Sequence, residues 1–282
     1  MRDGTEGVET EKTIALHYAH GALKRALLDA LAAAGKDLDH LALKDLAPVD
    51  EFHIGGRPAT VEFAAQFGAR PGMRLLDIGC GLGGAARYFA HDQGCQVTGV
   101  DLSGEYVGVA NMLAARVGLG DRVRCEQGSA LDLPFAPGSF DGAYMLHVGM
   151  NIEDKSRLFR EVRRVLAPAG VFGIYDAMRL TAGELSYPVP WASGAESSFV
   201  LDCPAYRNLL LAEGFEVLKV RDRRDFALEI FAQMRARAAS AGASPLGLHI
   251  VMGANAAAKV RNMIANVTSG LIAPTELICR VA

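Results

Sequence analysis

The chain is predicted to fold as a doubly wound α/β sheet under a helical cap, and three observations carry that prediction. Short apolar runs alternate with helical segments from Arg74 to Asp176, a pattern that demands a parallel sheet with right-handed crossovers. The first run, Leu75-Leu76-Asp77-Ile78, enters the turn Gly79-Cys80-Gly81-Leu82-Gly83-Gly84. Glycines there let the backbone turn sharply at the carboxyl edge of the sheet and approach a ligand closely. The second run, Gln96 to Asp101, also ends in an acid, 24 residues after Asp77.

Taken in order, residues 1–11 are polar and read as disordered. Ile14 to Ala34 places Leu16, Leu23, Leu27 and Leu31 at helical spacing, with Gly35 as the stop. A short amphipathic helix follows around Leu38 to Leu46. Pro58 suits a helix start, with Val61, Ala64, Ala65 and Phe67 facing inward until Gly68. Strands are expected at 74–78, 96–101, 122–127, 140–147 and 171–176, with helices between them. Residues 200–213 form the next helix, Phe215–Val220 a strand, 223–270 a mainly helical stretch that includes Ala232 to Ala243 and Ala254 to Ala258, and Glu276–Val281 the last strand. The segments divide into N-terminal helices and capping segment (1–57), core (58–177), lid insertion (178–200), continued core (201–222), helical cap insertion (223–272) and a last core strand (273–282). Such a cap closes over the carboxyl ends of the strands, where open α/β sheets bind ligands.

Composition narrows the function. Of 282 residues half are hydrophobic, enough for a large core, and the net charge is −3 with no basic run. That argues against nucleic acid or an anionic membrane as partner. No apolar stretch has membrane-spanning length, and the acidic N-terminus shows no signal-peptide pattern. The five cysteines are widely spaced with no CxxC pair, which fits a reduced, cytoplasmic protein without disulfides or a metal site. A monomer or homodimer acting on a small molecule is expected.

Gly79, Gly81 and Gly84 also satisfy the dinucleotide fingerprint. Asp77 separates the options: it would repel a pyrophosphate but complement the ammonium and sulfonium of S-adenosylmethionine. Asp101 can accept hydrogen bonds from the two ribose hydroxyls; an ordinary strand-end aspartate is the competing reading. With Ser129-Ala130-Leu131-Asp132-Leu133-Pro134-Phe135 and the strand start Phe140-Asp141, the series resembles class I S-adenosylmethionine-dependent methyltransferases. Asp50-Glu51-Phe52-His53-Ile54-Gly55-Gly56 and Tyr187-Pro188-Val189-Pro190-Trp191 resemble the branch of sarcosine/dimethylglycine, phosphoethanolamine and tocopherol methyltransferases. The resemblance covers about residues 50 to 220.

That resemblance implies a Rossmann-like sheet whose last strand inserts antiparallel beside the fifth, with S-adenosylmethionine as cofactor. Asp77, Gly79, Cys80, Gly81 and Gly83 would lie along the methionine part, and Asp101 with Leu102 would hold the ribose. Ser129, Ala130 and Leu131 would cover the adenine, while Leu146, Phe52 and His53 complete the cofactor wall. His147, at the end of the fourth strand, would face the sulfonium and serve as a base or orient the acceptor; a backbone-bound strand-end histidine is the alternative. Asn151 stands where the branch often carries His, which puts a base at that position in doubt. Substrate contacts are expected from Tyr18, His53, Met150, Asn151, Tyr187, Trp191 and His249. Tyr187 and Trp191 would form an aromatic wall against a methylated ammonium, or else a hydrophobic plug. Arg221-Asp222-Arg223-Arg224-Asp225 reads as a solvated helix start, with binding of a substrate carboxylate or phosphate as the alternative. The leading acceptor is an amine or amino acid nitrogen, with oxygen and carbon as rivals. A dinucleotide-dependent oxidoreductase and a non-catalytic cofactor-binding protein are the alternatives from other classes.

Overall fold

The computed structural model describes residues 4–18, 21–240, 244–253 and 255–282. Seven strands form one sheet: β1 (Arg74–Ile78), β2 (Gln96–Asp101), β3 (Val123–Gln127), β4 (Phe140–Leu146), β5 (Leu166–Arg179), β6 (Phe215–Asp222) and β7 (Ile272–Val281). Their order is β3-β2-β1-β4-β5-β7-β6. β7 runs antiparallel between β5 and β6, and the pairings among β1 to β5 are parallel. Central strands are apolar on both sides because helices cover both faces; in β1 only Arg74 of five residues is exposed.

Four helices precede the sheet: α1 (Gly4–His17), α2 (Leu23–Ala33), α3 (Leu43–Asp50) and α4 (Gly56–Phe67). Within the core lie α5 (Gly84–Asp92), α6 (Gly104–Arg116), α7 (Lys155–Val165) and α8 (Cys203–Ala212). The cap insertion holds α9 (Arg224–Ser240), α10 (His249–Met252) and α11 (Ala256–Thr268). On α7, Asp154 caps the first turn by accepting from Arg157 N at 2.9 Å, and Leu158, Phe159, Val162 and Val165 are buried. Each such side chain contributes about 1.5–3 kcal/mol on leaving water.

Several expectations are corrected. The stretch up to residue 11 is helical from Gly4, while residues 1–3 lie outside the described residues. The single helix expected over Ile14–Ala34 is two, because Glu105 of α6 accepts from Gly21 N at 3.0 Å and Leu23 N at 2.7 Å and so supplies a new helix start. A cap donated by another helix leaves no mark in local periodicity. The second helix begins at Leu43, where the Asp45 carboxylate accepts from Ala42 N at 2.9 Å. On α4 it is Ala59, Thr60, Phe63, Ala64 and Phe67 that are buried, while Val61 and Ala65 face outward. β5 starts at Leu166, which pairs with Phe140 before the register shifts at Gly142. The helical expectations over 241–243 and 254 lie outside the described residues.

The run 221–225 opens a helix and is only partly solvated, since Asp222 and Asp225 are exposed but the arginines are engaged. Arg223 is buried and reaches Glu62 at 2.8 Å and Glu276 at 3.8 Å, with its guanidinium 4.1 Å over the Phe226 ring. Arg221 pairs with the same two acids, and Arg224 donates to the last carbonyls of α11.

Candidate active site

Strand order reverses between β1 and β4, the place where an open α/β sheet leaves a crevice at its carboxyl edge. A cavity of about 790 Å³ lies there, within the usual range for a small-molecule site. One wall is backbone. Leaving β1, the turn passes through positive φ at Gly79, Gly81 and Gly83. A Cβ at Gly81 would meet no protein atom, so that side of the turn is open to the cavity. Asp101, at the end of β2, holds the turn: its carboxylate accepts from Gly81 N and Ser103 N, both at 2.9 Å. Asp77, Gly79, Cys80, Gly81, Asp101, Leu102, Ser129, Ala130, Leu131 and Leu146 all line the cavity, and Gly83 stands behind it.

Asp77 is buried, and its Oδ2 has no hydrogen-bond partner among the described residues. Burial pushes its carboxyl well above the usual range. An ammonium group would give the orphaned oxygen its partner and restore the charged form. The residues therefore fit S-adenosylmethionine: Asp77 would take the amino group, the Gly81 turn the methionine chain, Asp101 the ribose and the Ser129–Leu131 loop the base.

The second wall is made of side chains, some from the N-terminal cap segment and some from the stretch that follows β4. Tyr18, Phe52, His53, His147 and Asn151 line it. The Tyr18 hydroxyl donates to Asn151 Oδ1 at 3.0 Å, and Asn151 Nδ2 donates to Trp191 O at 2.8 Å. His147 stands at φ 57, with its Nδ1 3.2 Å from Tyr175 O and its Nε2 accepting from Ile54 N at 3.5 Å. Burial first, and the charge of neighbouring His53 second, push its pKa down to about 3. A ring that weakly basic accepts hydrogen bonds at neutral pH but does not retain a proton there.

Four expected substrate contacts are not part of the cavity. Trp191 is 2% exposed and packs with Met150, Val189 and Phe231, its Nε1–H donating to Ser198 Oγ at 2.9 Å. Tyr187 packs on the same cluster. His249 sits on the outer side of α10, whereas Val251 two residues on faces the cavity. The aromatic wall exists elsewhere. Tyr18 lies 6.5 Å from Phe52 and 6.0 Å from Tyr106 between ring centroids, and all three rings line the cavity.

Tyr106 was not among the expected residues, because on α6 it reads as helix core. Glu11 and Glu51 were also missed. Ser129 Oγ donates to Glu11 Oε1, and Glu51 Oε2 lies 3.0 Å from His53 Nε2. Arg87 escaped notice as well. Fully buried on α5, it donates to Leu82 O at 2.7 Å and to Asp50 Oδ1. A Cβ at Gly84 would overlap the backbone carbonyl of Asp50, so the cap segment lies directly on the start of α5. The glycine run signals the turn, but nothing in it signals the arginine beneath.

A family model described as a methyltransferase domain matches residues 76–174. The chain is similar to a sterol 24-C-methyltransferase from Gibberella zeae, 32% identical over 167 residues, which covers 56% of this chain and 43% of that protein. It is also similar to the O-methyltransferase resE from Aspergillus sclerotiorum, 30% identical over 193 residues, 64% of this chain and 69% of that protein. Among solved structures it resembles a phosphoethanolamine N-methyltransferase from Haemonchus contortus bound to S-adenosyl-L-methionine. There the TM-score is 0.66 at 23% identity, covering 82% of this chain and 54% of that one. The chain thus spans less than half the length of the sterol enzyme it matches.

Proposed function

The chain belongs to the class I S-adenosylmethionine-dependent methyltransferases, and on that premise we propose that it methylates the nitrogen of a small amine. The observation that carries this reading is a single cavity with two complementary walls. One holds the orphaned Asp77 oxygen beside the open Gly81 turn; the other presents the rings of Tyr18, Phe52 and Tyr106. Aromatic faces attract a cationic nitrogen. Relatives named for carbon, oxygen and nitrogen transfer leave the acceptor atom open, and the aromatic rings support the amine. When bound, S-adenosylmethionine supplies an electrophilic methyl group on a cationic sulfur. The chain's own residues then contribute alignment and a dry pocket.

His147 is proposed to orient the acceptor rather than to take its proton. Among the described residues no helix is long and apolar enough to cross a membrane; the cysteine usage supports a cytoplasmic setting.

The test is calorimetry with S-adenosylmethionine and with NADH, followed by methyl transfer to glycine, sarcosine, dimethylglycine and phosphoethanolamine set against phenols and sterols. Binding of S-adenosylmethionine alone and turnover of an amine are expected. Turnover confined to hydroxyl or carbon acceptors would overturn the amine, and NADH binding would overturn the whole reading. With the active amine, His147→Phe should lower kcat about 10²-fold through misalignment. No ionisation between pH 5 and 9 should disappear with it, since the ring is neutral throughout that range. A wild-type rate limb in that window that vanishes in the variant would instead make His147 the base.

A further inference from the structure

Methyl transfer has no use for two sulfurs that the fold brings together beneath the glycine turn. We propose that Cys80 and Cys125 are a redox modification site: hydrogen peroxide joins them in a reversible disulfide that displaces the turn and weakens cofactor binding. The proposal goes beyond methyl transfer and holds whatever the acceptor.

Gly99 shows why the two sulfurs meet. It stands in the interior of β2, where a glycine weakens the strand and marks a close approach of another part of the chain. A Cβ there would lie 2.7 Å from Cys80 Sγ, 2.8 Å from Cys125 Sγ and 2.8 Å from Cys80 Cβ. The space that a side chain would fill is taken by both sulfurs. Within it the Cys80 thiol donates a hydrogen bond to the Cys125 sulfur. The backbone fixes both partners to the same two residues of β2. Cys125 pairs in register with Gly99, and Cys80 N donates to Val100 O at 3.1 Å.

The pair is also placed to react. Cys80 keeps 8% exposure and lines the cavity, whereas Cys125 lies behind it at 4%. Cys95, Cys203 and Cys279 do not line that cavity. Peroxide, little larger than water, therefore reaches the pair from the cavity by way of Cys80. The hydrogen bond from Cys80 holds the Cys125 thiol below its usual range, against burial and with help from the Arg87 charge. The same bond, with burial, pushes the Cys80 thiol up. Cys125 is thus the more readily ionised sulfur, and the thiolate is the nucleophile.

Cys125 Sγ attacks one peroxide oxygen. The S–O bond forms, the O–O bond breaks, and the departing hydroxide leaves as water with the thiol proton. Cys80 Sγ then attacks the sulfenic sulfur. The S–S bond forms, the S–O bond breaks, and a second water leaves with the Cys80 proton. Two thiols are oxidised and one peroxide is reduced to two waters. Closing the sulfurs to about 2.05 Å draws Cys80 toward β3. Because Cys80 stands between Gly79 and Gly81, the pull reaches Gly81 N, which Asp101 holds at 2.9 Å. A ligand seated on the turn opposes that displacement and covers the approach to Cys80.

Peroxide treatment of the full chain, then non-reducing digestion and mass spectrometry, detects the bond directly. A peptide joining Cys80 to Cys125 is expected, and dithiothreitol should abolish it. By calorimetry, S-adenosylhomocysteine should bind about tenfold more weakly after oxidation, a coupling of ordinary size between linked events, and dithiothreitol should restore it. S-adenosylhomocysteine added before peroxide should slow the cross-link. Cys125→Ala, which alters no cavity residue, should bind S-adenosylhomocysteine as reduced wild type does and keep that affinity after peroxide. Should circular dichroism show the alanine variant unfolded, Cys125→Ser replaces it, and the wild-type peptide map decides in either case. Sulfinic acid at Cys80 without a cross-link, or cross-links confined to Cys95, Cys203 and Cys279, overturns the proposal. So does a cross-link that leaves affinity unchanged, or a peroxide-dependent loss of affinity that persists in the Cys125 variant. Failure of reduced wild type to bind S-adenosylhomocysteine strikes the methyltransferase reading instead, and the peptide map then still judges the cysteine pair.

Discussion

The wall built by the strand ends and the wall built by the cap enclose one cavity, but different forces hold them. Positive-φ glycines and main-chain N–H groups shape the first, fixed within a stretch of 25 residues by the Asp101 carboxylate on Gly81 N. Side-chain pairs hold the second across long separations, such as Tyr18 to Asn151 over 133 residues and Ser129 to Glu11 over 118. A backbone wall tolerates few substitutions and reads the same in many sequences. A side-chain wall can be rebuilt one residue at a time, which is how one fold accommodates proteins named for sterol C-methylation, O-methylation and phosphoethanolamine N-methylation.

The join between the walls gives the largest expected effect. Arg87 ties Leu82 of the glycine turn to Asp50 of the cap, and both partners are fully buried. Arg87→Met leaves Asp50 without its principal counter-charge and should cost about 3–5 kcal/mol in urea denaturation. A loss under about 1 kcal/mol would mean the walls are joined by packing alone. Next comes the backbone wall. Asp101→Ala removes the carboxylate that holds Gly81 and should weaken S-adenosylhomocysteine binding by about 1.5–3 kcal/mol. An unchanged dissociation constant by calorimetry would dissolve the contrast, since the turn would then shape itself. The smallest effect belongs to the cap. Trp191→Phe loses the Ser198 hydrogen bond, about 0.5–1.5 kcal/mol of stability, and should leave KM for the methyl acceptor unchanged. A tenfold rise in KM would return Trp191 to the acceptor wall.

The same contrast sets what was legible in sequence. Asp77, Gly81, Asp101 and Ser129–Leu131 were visible because a tight turn after a parallel strand restricts residue type locally. β1 and β2 were placed to the residue for the same reason, as short, largely apolar runs that carry an acid at or next to their end. The cap was not. Trp191 between prolines suggests a ligand-facing loop, yet its indole N–H finds Ser198 and its ring fills the space over Met150. The aromatic wall went instead to Tyr106, whose helical spacing is indistinguishable from that of any core residue. Glu105 and Arg87 act on segments 82 and 37 residues away, and no pattern in a single chain records such partners.

The Asp50 carbonyl seated against Gly84 constrains anyone who would re-engineer the acceptor preference. Residues 50–57 dock on the first turn of α5, so a graft of them keeps its seat only where that turn is matched. A functional chimera must carry Leu82, Gly84 and Arg87 along with the graft. The exchangeable unit for acceptor choice in this scaffold therefore consists of two fragments, and libraries that vary only one of them will be filled with misassembled protein.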